Sequence, residues 1–169
     1  MLANLMKRSC LPVALSAMLA GLSAVTGCTD ERQSYAFSHV APSGWDSEDT
    51  LTMPVDTLRR GGTYAVMLCL RLTTTPPTYP YTDITLAITG HYAAQHHRTV
   101  ITTDTLHLTL TSERGDMQGR GTSLFQFDVP FDTLRLVPGC APTFTVSHLM
   151  RRDPLPGISD VGLRLVAID

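Results

Sequence analysis

The chain has 169 residues, a formal net charge of −2 and 43% hydrophobic residues, enough for one folded domain with a sizeable core. This weakly acidic balance gives no support for nucleic-acid binding, because proteins that bind nucleic acids present clustered basic residues to the phosphates. No internal repeat, low-complexity block or linker divides the sequence into two domains.

The first 27 residues predict a bacterial lipoprotein signal peptide. Lys7 and Arg8 form a charged start, and the apolar run at 11–25 is too short to span a bilayer as a mature helix. The run ends in Thr26-Gly27 followed by Cys28, which resembles the lipobox of bacterial lipoproteins. We therefore predict cleavage before Cys28 and lipidation of its thiol, with acyl chains such as palmitate as the membrane anchor. An ordinary secretory signal or an uncleaved anchor helix is the alternative.

Cleavage defines the predicted mature protein. It removes Lys7, the only lysine, together with Arg8, and leaves 11 arginines against 15 acidic residues, a net charge of −4. Residues 28–34 are expected to be the lipidated terminus and a short tether, and residues 35–169 to be the folded domain.

Nearly every apolar segment of the mature chain alternates at period two, which predicts β-strands with one buried face. The longest, Tyr64 to Leu72, is apolar on both faces, as is typical of a central strand covered on both sides. Glycine and proline pairs separate the runs, and no helical period is found. We predict an all-β protein with a single β-sandwich of jelly-roll or immunoglobulin-like type. In chain order the other predicted strands lie at 51–55, 84–88, 106–110, 125–131, 134–136, 144–148 and 161–165.

Two cysteines, Cys69 and Cys140, are retained in the predicted domain. An envelope compartment permits a disulfide between them, although their spacing alone does not establish one. Cys69 lies within an apolar strand pattern, so a buried free thiol is an equal alternative.

A charged corner precedes the last predicted strand. In Leu155–Ile158, Pro156 and Gly157 are placed for a type II turn, because proline presets φ near −65° and glycine supplies the positive φ. The residues at 151–153, Arg-Arg-Asp, precede this turn and Asp160 follows it. We expect an Arg–Asp pair across the corner, a structural salt network that lowers the carboxylate pKa values and holds the turn in register.

Five segments are similar in order to one family. They read MRRDPLPGISDVGLRL at 150–165, GWDSEDTL at 44–51, YPYTDITLAI at 79–88, DTL at 104–106 and GDMQGRG at 115–121. Together they resemble the GldH family, gliding-motility lipoproteins of Bacteroidota. The collinear order over about 140 residues is far more specific than any one motif. The chain departs from the family pattern at Asp83 and at Met117-Gln118.

The resemblance implies an outer-membrane lipoprotein connected with the gliding apparatus and its associated secretion system. Its implied role is an accessory one, with other envelope proteins as partners and the membrane bound through the lipid anchor. The resemblance implies no catalytic residues for this chain. Asp30 and Glu31, close behind Cys28, resemble the acidic signals that send such lipoproteins to the outer leaflet, but a periplasmic face stays open.

The corner at 151–160 and the segment at 79–83, together with Trp45, are the candidate partner contacts, because arginine and tyrosine are common at interface hot spots and a rigid turn presents them at low entropic cost. The residues are Trp45, Tyr79, Tyr81, Asp83, Arg151, Arg152, Asp153 and Asp160.

No pattern calls for a metal, a cofactor or a catalytic centre. His96 and His97 lie in a polar stretch without neighbouring cysteines or carboxylates, which favours a solvated loop. The acidic run at 46–49 does not have the spacing of a calcium loop. We therefore expect a protein that is not an enzyme, with a carbohydrate-binding module as the main alternative and an envelope hydrolase as a third. The module would need an aromatic platform, and the hydrolase a set of converging carboxylates.

Overall fold

A computed structural model of the protein describes residues 33–94 and 98–168, and the predicted signal peptide and Cys28 lie outside these ranges. Within them the chain forms strands and no helix, so no described segment could cross a membrane as a helix. The strands are β1 (Gln33–His39), β2 (Leu51–Pro54), β3 (Gly62–Thr73), β4 (Asp83–Ala93), β5 (Thr99–Thr109), β6 (Leu124–Leu136), β7 (Thr143–His148) and β8 (Ile158–Ala167).

The strands form two four-stranded sheets, in the orders β1-β8-β3-β6 and β2-β7-β4-β5, and every pair is antiparallel. The first strand pairs with the last, the second with the seventh, the third with the sixth and the fourth with the fifth. This is the order of a long hairpin rolled into two sheets, which is a jelly roll. The predicted β-sandwich is confirmed, and the topology selects the jelly roll over the immunoglobulin-like alternative.

The core lies between the two sheets and is built by period-two alternation. In β4, Ile84, Leu86 and Ile88 are buried while their neighbours are partly exposed. β3 lies between β8 and β6, and Leu68 and Leu70 are fully buried on its inner face. Cys69, on the opposite face, is buried as well, but Met67 and Arg71 beside it are only partly buried. The strand is therefore central in its sheet, as predicted, but the prediction that both of its faces are covered is wrong, because no second layer of described residues lies over the outer face.

Two strand boundaries differ from the sequence prediction. The runs predicted separately at 125–131 and 134–136 are one strand, β6, with a bulge where Val66 pairs with Asp132 and Met67 pairs with Pro130. The bulge adds one residue and shifts the alternation, which made the run look like two strands. Gln33 and Ser34, assigned to the tether, already pair with β8.

The strand registers give the sandwich two distinct ends. β1, β3, β5 and β7 all finish at one end, which we call the four-loop end: it comprises the loops 40–50, 74–82, 110–123 and 149–157. β1 begins at the other end, next to the last residues of β8, since Gln33 pairs with Val166. The start of the described chain is therefore a full strand length away from the four-loop end.

We predict that Leu68→Ala lowers the free energy of unfolding by about 2–5 kcal/mol, because it leaves a cavity in the middle of the central strand. Urea denaturation followed by circular dichroism measures this. The matched control is Ile101→Ala on the exposed side of β5, which should cost less than about 1 kcal/mol. Equal losses for the two variants would contradict the assignment of the core.

Candidate functional site

Four of the five family-like segments lie wholly or partly in the loops of the four-loop end. Trp45 lies in the first loop, Tyr79 in the second, the segment 115–121 in the third and the segment 150–157 in the fourth. Only the segment 104–106 lies elsewhere, within β5. The fold thus brings together residues that are up to about a hundred positions apart in the chain.

Trp45 anchors the first loop to the fourth. Its backbone N–H donates to the Leu155 carbonyl at 2.9 Å, and the Leu155 N–H donates back to the Trp45 carbonyl at 2.7 Å. The indole Nε1 donates to the Asp49 carbonyl at 2.9 Å, and the His148 ring packs edge-on at 5.2 Å. Only 1% of Trp45 is exposed, so the predicted partner contact is wrong for this side chain, which is a structural anchor.

Gly157 fixes the second loop against the fourth. Its φ of +81° confirms the positive φ predicted from the sequence, and a Cβ there would lie 2.0 Å from the backbone nitrogen of Tyr79. The hydroxyl of Tyr79 donates to the Asp83 carbonyl at 2.8 Å, and burial raises the pKa of this phenol. With 5% of its surface exposed, Tyr79 also supports the loops instead of contacting a partner. Tyr81 packs edge-on against it at 5.8 Å and is half-buried, as is Asp83.

The predicted Arg–Asp pair across the corner is wrong for the described residues. Asp153 instead accepts hydrogen bonds from the backbone N–H and the hydroxyl of Ser47, at 2.9 and 2.6 Å. These bonds hold the pKa of Asp153 below its usual value. Asp160 accepts from the Ser159 hydroxyl at 2.7 Å and lies 3.1 Å from Nδ1 of His39. The two carboxylates therefore accept hydrogen bonds from hydroxyl and backbone amide donors, and not from the arginines that lie near them in the sequence.

Arg151 and Arg152 project from this rigid base. Both are exposed, as are Leu149 before them and Asp153 after them. The Leu149 N–H donates to the Thr85 carbonyl at 2.9 Å, which fixes the segment on the side of β4. Residues 149–153 thus form a ridge that is exposed except at Met150, and it is held by Thr85 at its start and by Ser47 at its end.

The structure also presents a surface that the sequence prediction missed, on the outside of the β1-β8-β3-β6 sheet. Tyr35 and Phe37 are 51% and 39% exposed. The Arg71 guanidinium lies 4.5 Å from the centroid of the Phe37 ring, and that of Arg164 lies 5.9 Å from the Tyr35 ring. A Cβ at Gly162 would lie 2.3 Å from the Phe37 ring, so glycine is what lets this ring lie close to the sheet. We call these five residues the outer aromatic face.

Both cysteines of the domain are free and buried, so the possible disulfide between them is excluded. Cys69 lies beneath the outer aromatic face, where burial and its hydrogen bond to Asp128 raise the pKa of the thiol to about 12. Although partial burial acts to raise the pKa of Asp128, hydrogen bonds from Cys69 and Gln126 hold it below its usual value. Cys140 accepts a hydrogen bond from the Ala93 N–H at 3.3 Å. Because the Cys69 thiol stays protonated at neutral pH, it is a poor nucleophile.

Within residues 33–94 and 98–168, no three or more His, Cys, Asp or Glu side chains come together in a group that could hold a metal ion. His96 and His97 lie outside these ranges.

The model of the GldH lipoprotein family matches residues 33–165. Among solved structures, the chain is similar to the structure of Eiger TNF from S. frugiperda, with 10% identity, 81% of this chain and 92% of that chain covered, and a TM-score of 0.33. It is also similar to a family 16 carbohydrate binding module-2, with 15% identity, 76% and 85% covered, and a TM-score of 0.30. No curated protein matches the chain.

Gly157→Ala should destabilise the domain more than Gly139→Ala, although both glycines have a positive φ. Each substitution carries a conformational strain of about 1–2 kcal/mol. Only at Gly157 does the new Cβ meet backbone, since nothing lies within 4 Å at Gly139. Overpacking adds about 1–3 kcal/mol there. Thermal and urea unfolding of the two variants test this, and equal losses would refute the contact with Tyr79.

The Asp153–Ser47 bonds predict a specific pH dependence. Because the folded pKa of Asp153 is lowered, its stabilising contribution is present above the unfolded value of about 3.9 and is lost as pH falls through the folded pKa. Ser47→Ala should raise the pKa of Asp153 in an NMR titration. The difference in Tm between wild type and Ser47→Ala should shrink as the pH is lowered through the folded pKa of Asp153. An unchanged Asp153 titration would contradict the assignment.

Proposed function

Since the chain belongs to the GldH lipoprotein family, we propose that it is a lipid-anchored accessory protein of the gliding apparatus and its associated secretion system. The family makes it a membrane-associated protein of the cell envelope. Beyond that, we propose that it is held at the outer membrane by acyl chains on Cys28 and acts by binding other envelope proteins, without catalysing a reaction.

The observation that supports this proposal is that β1 begins at the end of the sandwich opposite the four-loop end. Cys28 lies only five positions before Gln33, where β1 begins. The four-loop end, which holds four of the five family-like segments, lies at the opposite end of that strand. A strand of seven residues is about 23 Å long, so a lipid at Cys28 would leave the four-loop end free to meet partners away from the anchor.

The ridge at 149–153 has the properties of a protein-binding segment. Arg151, Arg152 and Leu149 are exposed, and the Ser47 and Thr85 bonds fix the backbone that carries them. A surface that is already ordered loses less conformational entropy when a partner binds. Arginine offers a planar set of donors that suits carboxylates on the partner.

The two aromatic residues on which the carbohydrate-binding alternative depended are not available to a ligand. The aromatic platform expected for such a module would have used Trp45 and Tyr79, and both side chains are buried. Their burial instead makes them the internal supports of a loop surface whose exposed residues include Arg151, Arg152 and Asp153.

In-cell photocrosslinking tests the contact role. A photoreactive residue in place of Arg152 should capture envelope proteins of the motility or secretion machinery, whereas the same residue in place of Arg135, exposed near the other end of β6, should not. The double variant Arg151→Ala/Arg152→Ala should reduce gliding or secretion several-fold at unchanged protein level and Tm. Wild-type activity of this variant would contradict the role of the ridge.

The anchor is tested separately. Cys28→Ala should abolish acylation, so mass spectrometry of the wild-type protein should find acyl groups that the variant lacks. The variant should leave the membrane fraction or stay uncleaved, and a processed variant that stays in the membrane would contradict the lipoprotein assignment.

A further inference from the structure

We propose that the outer aromatic face lies against the phospholipid headgroups of the membrane that anchors the protein. This deepens the proposed function and depends on the lipid anchor at Cys28. The domain would then contact the bilayer twice, through the acyl chains and through one face of the β1-β8-β3-β6 sheet, and its orientation would be fixed.

The length of chain before the domain supports this contact. Four residues separate Cys28 from Gln33, and five fully extended steps span at most about 18 Å. Tyr35 and Phe37 follow two and four positions into β1, or about 7 and 13 Å further along the strand. The face that contains these rings is therefore within reach of the headgroups.

Exposed apolar side chains concentrate on this side of the domain. Six large hydrophobic side chains are exposed in the described part of the chain, and three of them, Tyr35, Phe37 and Ile168, lie here. Ile168 is 58% exposed and continues the outward alternation of β8 beyond Arg164, with its N–H donating to the Thr63 carbonyl. Aromatic side chains that carry a polar group partition to the depth of the lipid headgroups in a membrane. Apolar side chains beside them are also accommodated at this membrane–water interface.

The arginines supply complementary charge. The guanidinium groups of Arg71 and Arg164 lie over the exposed Phe37 and Tyr35 rings, so both charges belong to this face. A phosphate group can accept two parallel hydrogen bonds from a guanidinium, and every phospholipid headgroup offers one. The carboxylates of this face, Asp128 and Asp160, lie towards the four-loop end and already accept hydrogen bonds from Gln126 and Ser159.

On β1, β3 and β8, the half of the face nearest the anchor contains no acidic side chain among the described residues. The outward positions of these three strands there are Gln33, Tyr35, Thr63, Ala65, Met67, Arg164 and Val166. This half is therefore apolar and cationic, which fits a phosphate-bearing surface.

Site-specific fluorescence in the full-length lipidated protein tests the proposal. The protein is reconstituted into phosphatidylcholine–phosphatidylglycerol vesicles that contain a lipid with a nitroxide on its headgroup. Because Cys69 and Cys140 are buried and Cys28 is acylated, a thiol-reactive fluorophore labels a newly introduced surface cysteine. The label is placed at Ile168→Cys on the proposed contact, and at Ile101→Cys and Arg152→Cys as controls on β5 and on the ridge.

We expect the label at position 168 to shift to shorter wavelength and to lose most of its emission to the nitroxide, and the labels at 101 and 152 to do neither. Adding Tyr35→Ser and Phe37→Ser should restore the emission at 168 while the acyl groups stay attached. Thr103→Ser and Thr105→Ser, on the exposed side of β5, are the control pair and should leave it quenched.

Equal quenching at all three positions, or none at position 168, overturns the proposed contact when mass spectrometry shows acyl groups on Cys28. An unmodified Cys28 removes the anchor and the face contact together, and the mass spectrum distinguishes this outcome. If lipid quenching is absent and a crosslinker at position 37 captures a protein instead, the face is a protein interface and the membrane contact is wrong.

Discussion

The close approach of two backbones at Gly157 is the constraint on which the four-loop end depends. No side chain larger than hydrogen fits between this residue and the Tyr79 nitrogen. The exchange of hydrogen bonds between Trp45 and Leu155 then ties the first loop to the same place. Together these contacts join three connections into one rigid base. The exposed arginines at 151 and 152 stand on this buried base, and the bonds to Ser47 and Thr85 hold the segment that carries them.

Much of the fold could be predicted because alternation reports directly on burial. The central strand at 64–72 and the glycine at position 157 were identified from pattern and turn chemistry alone. Alternation cannot say which buried residue supports a loop and which meets a partner, so Trp45 and Tyr79 were assigned to the wrong role. Tyr35 and Phe37 were missed because a short edge strand near a polar tether has too few apolar positions to stand out.

The charge pattern around the corner at 151–160 indicated where the charged side chains lie, but not which residues form hydrogen bonds with them. Arg151 and Arg152 are neighbours of Asp153 in the chain, yet Ser47, more than a hundred residues away, supplies its hydrogen bonds. Tertiary contacts decide which donor reaches a carboxylate, and sequence proximity does not. The same holds for Cys69, whose partner is the Asp128 carboxylate on the adjacent strand and not the second cysteine.

The pairing of the first strand with the last has a consequence for how the domain is made. His39 and Asp160 are partners across 121 positions, so β1 has no neighbour in its sheet until the final strand is available. Contacts of such long sequence separation form late and slowly. In a growing chain β1 therefore stays unpaired until β8 has been made, and the sheet that contains both strands closes only when synthesis is nearly complete.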